Sequence, residues 1–218
     1  YALRLAPAFH PKLTVALLKE LLTVGDPVLS LQTVRTLGAR GTEETRDILA
    51  GLAADEARPA GLRAEAVAGL ASSTKPQHVA LLVTLAGHAD RALRDEALRG
   101  LRLTPLEGEA RMALQTAGRQ HPESSALVNA VLDIGTVNAG RPGFDDTAAW
   151  LQRLDALPGP PDAEAGRRLF FHSKMAYCAT CHRHSGRGNV VGPDLSLIAR
   201  QGDRAALLRS ILEPHREV

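Results

Sequence analysis

Both cysteines of this 218-residue chain fall in one pentapeptide, Cys178-Ala179-Thr180-Cys181-His182. Two thiols three positions apart, followed at once by an imidazole, suit the attachment of a c-type haem. Each sulfur can form a thioether to one edge of the porphyrin, and the next side chain then lies beneath the iron. On this reading Cys178 and Cys181 hold haem c and His182 is the proximal iron ligand. The same residues suit other chemistry. With two of His172, His182 and His184, the thiols would give zinc a mixed cysteine and imidazole donor set, although the usual second ligand pair is not spaced a helix or hairpin away. A redox dithiol is the third option, and the βαβ context that such a motif expects is lacking. No paired carboxylates, Ser/His/Asp set or phosphate-binding glycine loop stands out. The chain therefore reads as an electron carrier rather than a self-sufficient enzyme, one that a larger oxidoreductase could contain.

The pentapeptide needs elements to position it. Asp162 to Phe171 reads as a capped helix, with Asp162 at its start, Gly166 one turn before Phe170, and an apolar end aimed at the cysteines. Ser185 to Leu195 is a glycine-rich loop ending in Gly192-Pro193. Beyond it, Leu195 to Ala199 and Arg204 to Leu212 offer Leu197, Ile198, Leu207, Leu208 and Ile211 as apolar cover.

Upstream, the sequence repeats. Val28 to Leu37, Gly61 to Leu70 and Ala92 to Leu101 align without gaps at starts 33 and 31 residues apart, the period of stacked two-helix units. Apolar or small residues recur at places 2, 6, 7 and 10 of each block, one stripe on one helix face. Partner helices are expected over Thr42 to Ala53 and Pro76 to Ala86, and two more, Glu107 to Ala117 and Ser124 to Asp133, to close the stack. Asp26 and Asp90 sit where helix starts want an acceptor; Gly38, Gly41 and Gly87 sit where helix ends want a left-handed residue. Arg63-Ala-Glu-Ala66 and Arg94-Asp-Glu-Ala97 resemble the core of HEAT-like repeats, degraded to Ser30-Leu-Gln-Thr33 in the first block. His10, His78, His88 and His121 show no metal-ligand spacing and read as surface residues, and Met112 reads as core. The stack itself reads as a rigid spacer, with a partner-binding concavity as the alternative.

Gly166, Phe170 and Cys178 resemble the order found in class I cytochromes c, where a glycine and an aromatic of the first helix pack on the last helix. That resemblance implies that the Pro193 carbonyl accepts a hydrogen bond from the proximal histidine, and that Phe170, Leu195, Ile198 and Leu208 pack on haem. Gly-Arg-Arg-Leu-Phe-Phe171, Cys-Ala-Thr-Cys-His182, Val-Gly-Pro-Asp-Leu195 and Ser-Ile-Leu-Glu-Pro-His-Arg-Glu-Val218, preceded by HEAT-like repeats, are similar to planctomycete-type multidomain haem-binding proteins. The likeness covers 162 to 218 closely and the repeats loosely. It implies electron transfer, a redox partner protein or fused dehydrogenase domain, and a distal methionine from a segment beyond Val218. Within the chain His172, His184, His215 and Met175 are poor distal candidates, His172 and His215 reading as exposed polar residues. The distal ligand is expected outside the chain.

The expected fold is therefore all-α: a HEAT-like α-solenoid over 1–135, a linker with one short helix over 136–161, and a small, truncated cytochrome c-like helical domain over 162–218. In the linker, Trp150 with Leu151 and Leu154 forms one apolar face. An aromatic share of 3% with abundant Ala and Leu favours helices over an all-β architecture. With 26 basic and 24 acidic residues, the net charge of +2 carries no field that would imply nucleic acid as a partner. No apolar stretch reaches the roughly 18 residues of a spanning helix. Because the chain begins at Tyr1, it reads as a piece of a longer polypeptide. Covalent attachment of haem to this pentapeptide is carried out on the exported side of bacterial membranes, so the haem reading implies a periplasmic or exported location. The zinc reading implies instead an interaction module on a repeat scaffold.

Overall fold

The structure is a computed structural model that describes residues 2–133, 140–157 and 159–215. Its elements are α1 (Ala2–Leu5), α2 (Val15–Leu21), α3 (Pro27–Arg40), α4 (Glu43–Ala54), α5 (Ala60–Gly69), α6 (Pro76–Leu85), α7 (Arg91–Gly100), α8 (Gly108–Gln120), α9 (Ser125–Leu132), α10 (Thr147–Asp155), α11 (Ala163–Phe170) and α12 (Arg204–Leu212). A single antiparallel hairpin, β1 (Arg183–His184) with β2 (Arg187–Gly188), is the only sheet among the described residues. The protein is mostly helical. Residues 134–139, which include the expected opening of the linker at 136, lie outside the described residues.

The helices start and stop where local chemistry directs. Asp26 Oδ1 accepts the Leu29 amide at 2.8 Å and Pro27 opens α3, while Asp90 Oδ1 accepts the Leu93 amide at 3.1 Å and opens α7. Both satisfy a backbone donor that a helix start leaves over. Gly41 ends α3 in the left-handed region at φ 58°. The other two expected stop glycines act differently. Gly38 lies inside α3, where a Cβ would stand 3.5 Å from the Gly69 Cα, so it is there for close helix approach. Gly87 donates to the Thr84 carbonyl without a positive φ.

The three aligned blocks became α3, α5 and α7, which pack side by side, with α4, α6 and α8 as a second row. Their stripe is the core. Leu37, Leu70 and Leu101 at place 10 and Val34, Val67 and Leu98 at place 7 are all buried, as are Leu49, Leu52, Leu82 and Leu85 of the partner helices. Burying each such leucine is worth about 1.5–3 kcal/mol relative to exposure. Two readings outside the stripe are corrected. Met112 is 58% exposed rather than core, because α8 turns that side outward. His78 is buried, held between Ser73 Oγ at 2.8 Å and Asp47 Oδ1 at 2.9 Å, because α6 packs on α4, which carries Asp47, and the turn leading into α6 supplies Ser73.

Beyond the stack, α10 packs on α12 and the Arg204 guanidinium pairs with Asp155. Trp150 lies on that short helix, its Nε1 donating to the Gly143 carbonyl at 2.9 Å.

Candidate functional site

Cys178, Ala179 and Thr180 form one 3₁₀ turn, entered from Tyr177 in the left-handed region at φ 55°. The turn is closed by the amides of Cys181 and His182, which both donate to the Cys178 carbonyl, at 3.2 and 2.9 Å. A turn of this kind brings positions i and i+3 to one side of the chain. The two thiols are free, Cys178 half-buried and Cys181 exposed.

The glycine-rich loop fastens around that turn through its backbone. Asn189 donates its amide to the Ala179 carbonyl at 3.1 Å and its side-chain Nδ2 to the Thr180 carbonyl at 3.0 Å. Gly192 donates to the Cys181 carbonyl at 2.8 Å, and Leu195 to that of Arg183 at 2.8 Å. These bonds carry the chain past His182 so closely that side chains are excluded at two positions. A Cβ on Gly188, which has φ 96°, would stand 2.2 Å from the His182 carbonyl oxygen; one on Gly192 would stand 2.6 Å from Cε1 of the His182 ring. With the loop in place, the Pro193 carbonyl reaches Nδ1 of His182 at 2.9 Å. A carbonyl only accepts, so that bond puts the ring proton on Nδ1 and leaves the lone pair on Nε2.

The segment is anchored to the helical stack by charged side chains. Arg167 on α11 donates to Glu65 Oε1 at 2.7 Å, and Arg168 Nε donates to Glu96 Oε1 at 2.7 Å. Arg35 bridges Glu65 and Glu164. Lys174 Nζ donates to the Gly100 carbonyl at 2.9 Å and to Thr104 Oγ1 at 3.0 Å, and Arg187 reaches α1 and α3. Glu96 is fully buried and shares its Oε1 with Arg99 at 2.7 Å, while its Oε2 is buried without a partner. Burial, only partly offset by Arg99 and Arg168, pushes its carboxyl above the usual range.

The acidic residues of the Arg-x-Glu repeat core thus have a second use. Arg63 and Arg94 tie their own loops, Arg63 Nε to the Ala53 carbonyl and Arg94 Nη1 to the carbonyls of His88 and Ala89. Glu65 and Glu96 receive arginines of the C-terminal segment. The stack is therefore more than a spacer, since one of its faces seats residues 164 to 187. In the sequence the only signal for this was the pair Arg167-Arg168 opposite two recurring glutamates.

Of the remaining site residues, Phe170 is half-buried, its ring 5.0 Å from that of Phe171 and 5.7 Å from that of His184. Leu195, Ile198 and Leu208 are half-buried. A Cβ on Gly166 would meet nothing within 4 Å, so among the described residues no helix crosses closely there. His172 is buried rather than exposed, at 3%. Its Nδ1 accepts the Lys174 amide at 3.1 Å, its Nε2 has no partner, and burial beside Arg99 and Lys174 lowers its pKa to about 4. His215 is exposed, and His184 and Met175 are half-buried.

Among the described residues no group of three or more His, Cys, Asp or Glu side chains is gathered to hold a metal ion. No described helix is long and apolar enough to cross a membrane. No family model, curated protein or solved structure matches the chain.

Proposed function

We propose that this chain is an electron-transfer module that carries a covalently attached haem c, built as a small cytochrome c-like segment on a HEAT-like solenoid. The observation that carries the reading is the Nδ1 to Pro193 carbonyl bond of His182, directly after the Cys178-x-x-Cys181 turn. Fixing the far nitrogen sets ring plane and tautomer and makes the near nitrogen a better iron donor. The residues present fit the group. Both thiols are unpaired and within one turn, Nε2 keeps its lone pair, and Gly188 and Gly192 leave room only for bare backbone behind the ring.

Cys178 and Cys181 would hold the porphyrin edge through their sulfurs and His182 would ligate the iron. Bound there, haem supplies one-electron chemistry, which no side chain of this segment supplies. The roles of the chain's own residues are to orient His182 through Pro193, to offer apolar surface at Phe170, Leu195, Ile198 and Leu208, and to fix the whole loop on the stack through Arg167, Arg168 and Arg187. The distal ligand lies outside the chain on this reading. The partner is a redox protein or a fused dehydrogenase domain, and the location is periplasmic or exported. The side-by-side hairpins of α3 to α8, with the Arg-x-Glu core at their seam, support the solenoid reading.

The zinc alternative needs two imidazoles beside the cysteines, and no observation favours it. The ring of His172 is buried, and its Nδ1 accepts the Lys174 amide. The test is expression with a haem maturation system, followed by haem staining of the denatured band and intact-mass measurement. The expected result is a stained band whose mass has risen irreversibly by one haem, lost in Cys178→Ser with Cys181→Ser. An unstained band of unchanged mass refutes the reading, and one equivalent of zinc without a Soret band replaces it.

A further inference from the structure

Behind the cysteine turn, on the side that faces α3 and α5, lies a cavity of about 520 Å³. Ala179, Arg183 and Asn189 line it, whereas Cys178, Cys181 and His182 do not, so it is separate from the attachment residues and does not rest on the haem reading. Its charge is one-sided. Five guanidinium groups, those of Arg35, Arg167, Arg168, Arg183 and Arg187, face a single carboxylate, Glu65. Glu65 is already shared between Arg35 and Arg167. Glu96 and Glu164 offset Arg168 and Arg35 from outside the lining, which still leaves positive charge in excess.

Arg187 is the group left over. Its Nη2 donates only to neutral acceptors, the Leu3 and Gln32 carbonyls, Gln32 Oε1 and Thr36 Oγ1, at 3.0 to 3.2 Å. Its Nε is buried with no partner. Burial, with Arg167 and Arg35 nearby, lowers its pKa to about 10, so it stays charged at neutral pH. Neutral acceptors satisfy hydrogen bonds without compensating a buried charge. Leu5, Val34, Ala68 and Phe171 form an apolar part of the wall, beside the polar Ser72, Ser173 and Asn189.

We propose that this cavity binds a small organic carboxylate, its charged end on Arg187 and its apolar body against Val34 and Phe171. A guanidinium is suited to the flat, two-oxygen face of a carboxylate, and the apolar wall asks for a ligand larger than an inorganic ion. The binder would seat at the junction of stack and C-terminal segment and tighten it.

The test is calorimetric titration of the full chain at low ionic strength with benzoate, benzyl alcohol and inorganic phosphate. Saturable one-to-one binding of benzoate is expected, with no binding of benzyl alcohol and phosphate weaker by about tenfold or more. Arg187→Gln should weaken benzoate by about tenfold or more, the loss of one charge-assisted contact. Because Arg187 also fastens α1 and α3, a second variant, Ala68→Phe, fills the cavity without touching any charge and should abolish binding in a protein of unchanged circular dichroism. Absence of saturable benzoate binding overturns the proposal, as does equal binding of benzyl alcohol or phosphate, or benzoate affinity unchanged in Ala68→Phe.

Discussion

Replacing Arg168 with methionine keeps the apolar stem of the side chain and removes the guanidinium that Glu96 faces. Glu96 is 0% exposed, its Oε1 takes Arg168 Nε and Arg99 Nη1 at 2.7 Å each, and its Oε2 is buried without a partner. Removing one partner of a buried pair costs about 3–5 kcal/mol. Arg99 remains, and the carboxyl can partly neutralise itself by protonation, so Arg168→Met should cost about 2–3 kcal/mol at pH 7. Glu96→Gln removes the charge that needs compensation, and the double variant should then lose less than the two single losses added, with a coupling of at least about 1 kcal/mol. Urea denaturation is the assay, read as a shift in midpoint at unchanged slope. The pH dependence is a second readout. The folded pKa of Glu96 lies above its ordinary 4.5, so the folded state binds more protons than the unfolded one and this group's contribution falls as pH rises through the window above 4.5. That fall should steepen in Arg168→Met and vanish in Glu96→Gln. A loss below about 0.5 kcal/mol in Arg168→Met, with no coupling to Glu96→Gln, would refute the reasoning, since surface substitutions do that much.

His172 should show the opposite slope. Its folded pKa of about 4 lies below the ordinary 6.5, so the unfolded state binds more protons between those values and stability falls as pH drops from 6.5 towards 4, by at most about 3 kcal/mol; His172→Asn, which keeps an acceptor for the Lys174 amide, should flatten denaturation midpoints measured across that window. Gly192→Ala should displace the His182 ring, whose Cε1 and Nδ1 would lie 2.6 and 2.8 Å from the new Cβ, and the change would be read as a shift of the His182 ring nitrogens in ¹⁵N spectra. Gly69→Ala should cost about 1–3 kcal/mol by overpacking, because the added carbon meets Leu49 Cδ1 at 2.6 Å and the Gly38 Cα at 3.2 Å; a thermal melt unchanged from the parent protein would exclude that close approach of α3 and α5.

Local order was legible in the chain itself. The spacing of Leu29, Val34 and Leu37 and its recurrence in two later blocks determined α3, α5 and α7, because a helix face is written every three to four residues. Asp26, Asp90 and Asp162 determined three helix starts, because a cap is a contact with the third residue on. The order Cys178, Cys181, His182 and Pro193 determined the candidate chemistry for the same reason: an 11-residue loop is short enough for its hydrogen bonds to close on the turn that precedes it. Only tertiary structure decided which arginine meets which glutamate. Arg167 and Glu65 are 102 residues apart, Arg168 and Glu96 are 72 apart, and Arg187 reaches a helix 155 residues upstream. A charge declares its sign in the sequence and nothing of its distant partner, since the attraction is non-directional and many surface charges could satisfy it. Burial has the same origin. His172 and His78 look like ordinary polar residues until a second segment covers them. The Cys178 to His182 turn is thus a local feature, whereas its seat on the glutamates of the repeats, and the arginine-lined cavity behind it, exist only once the two halves of the chain are brought together.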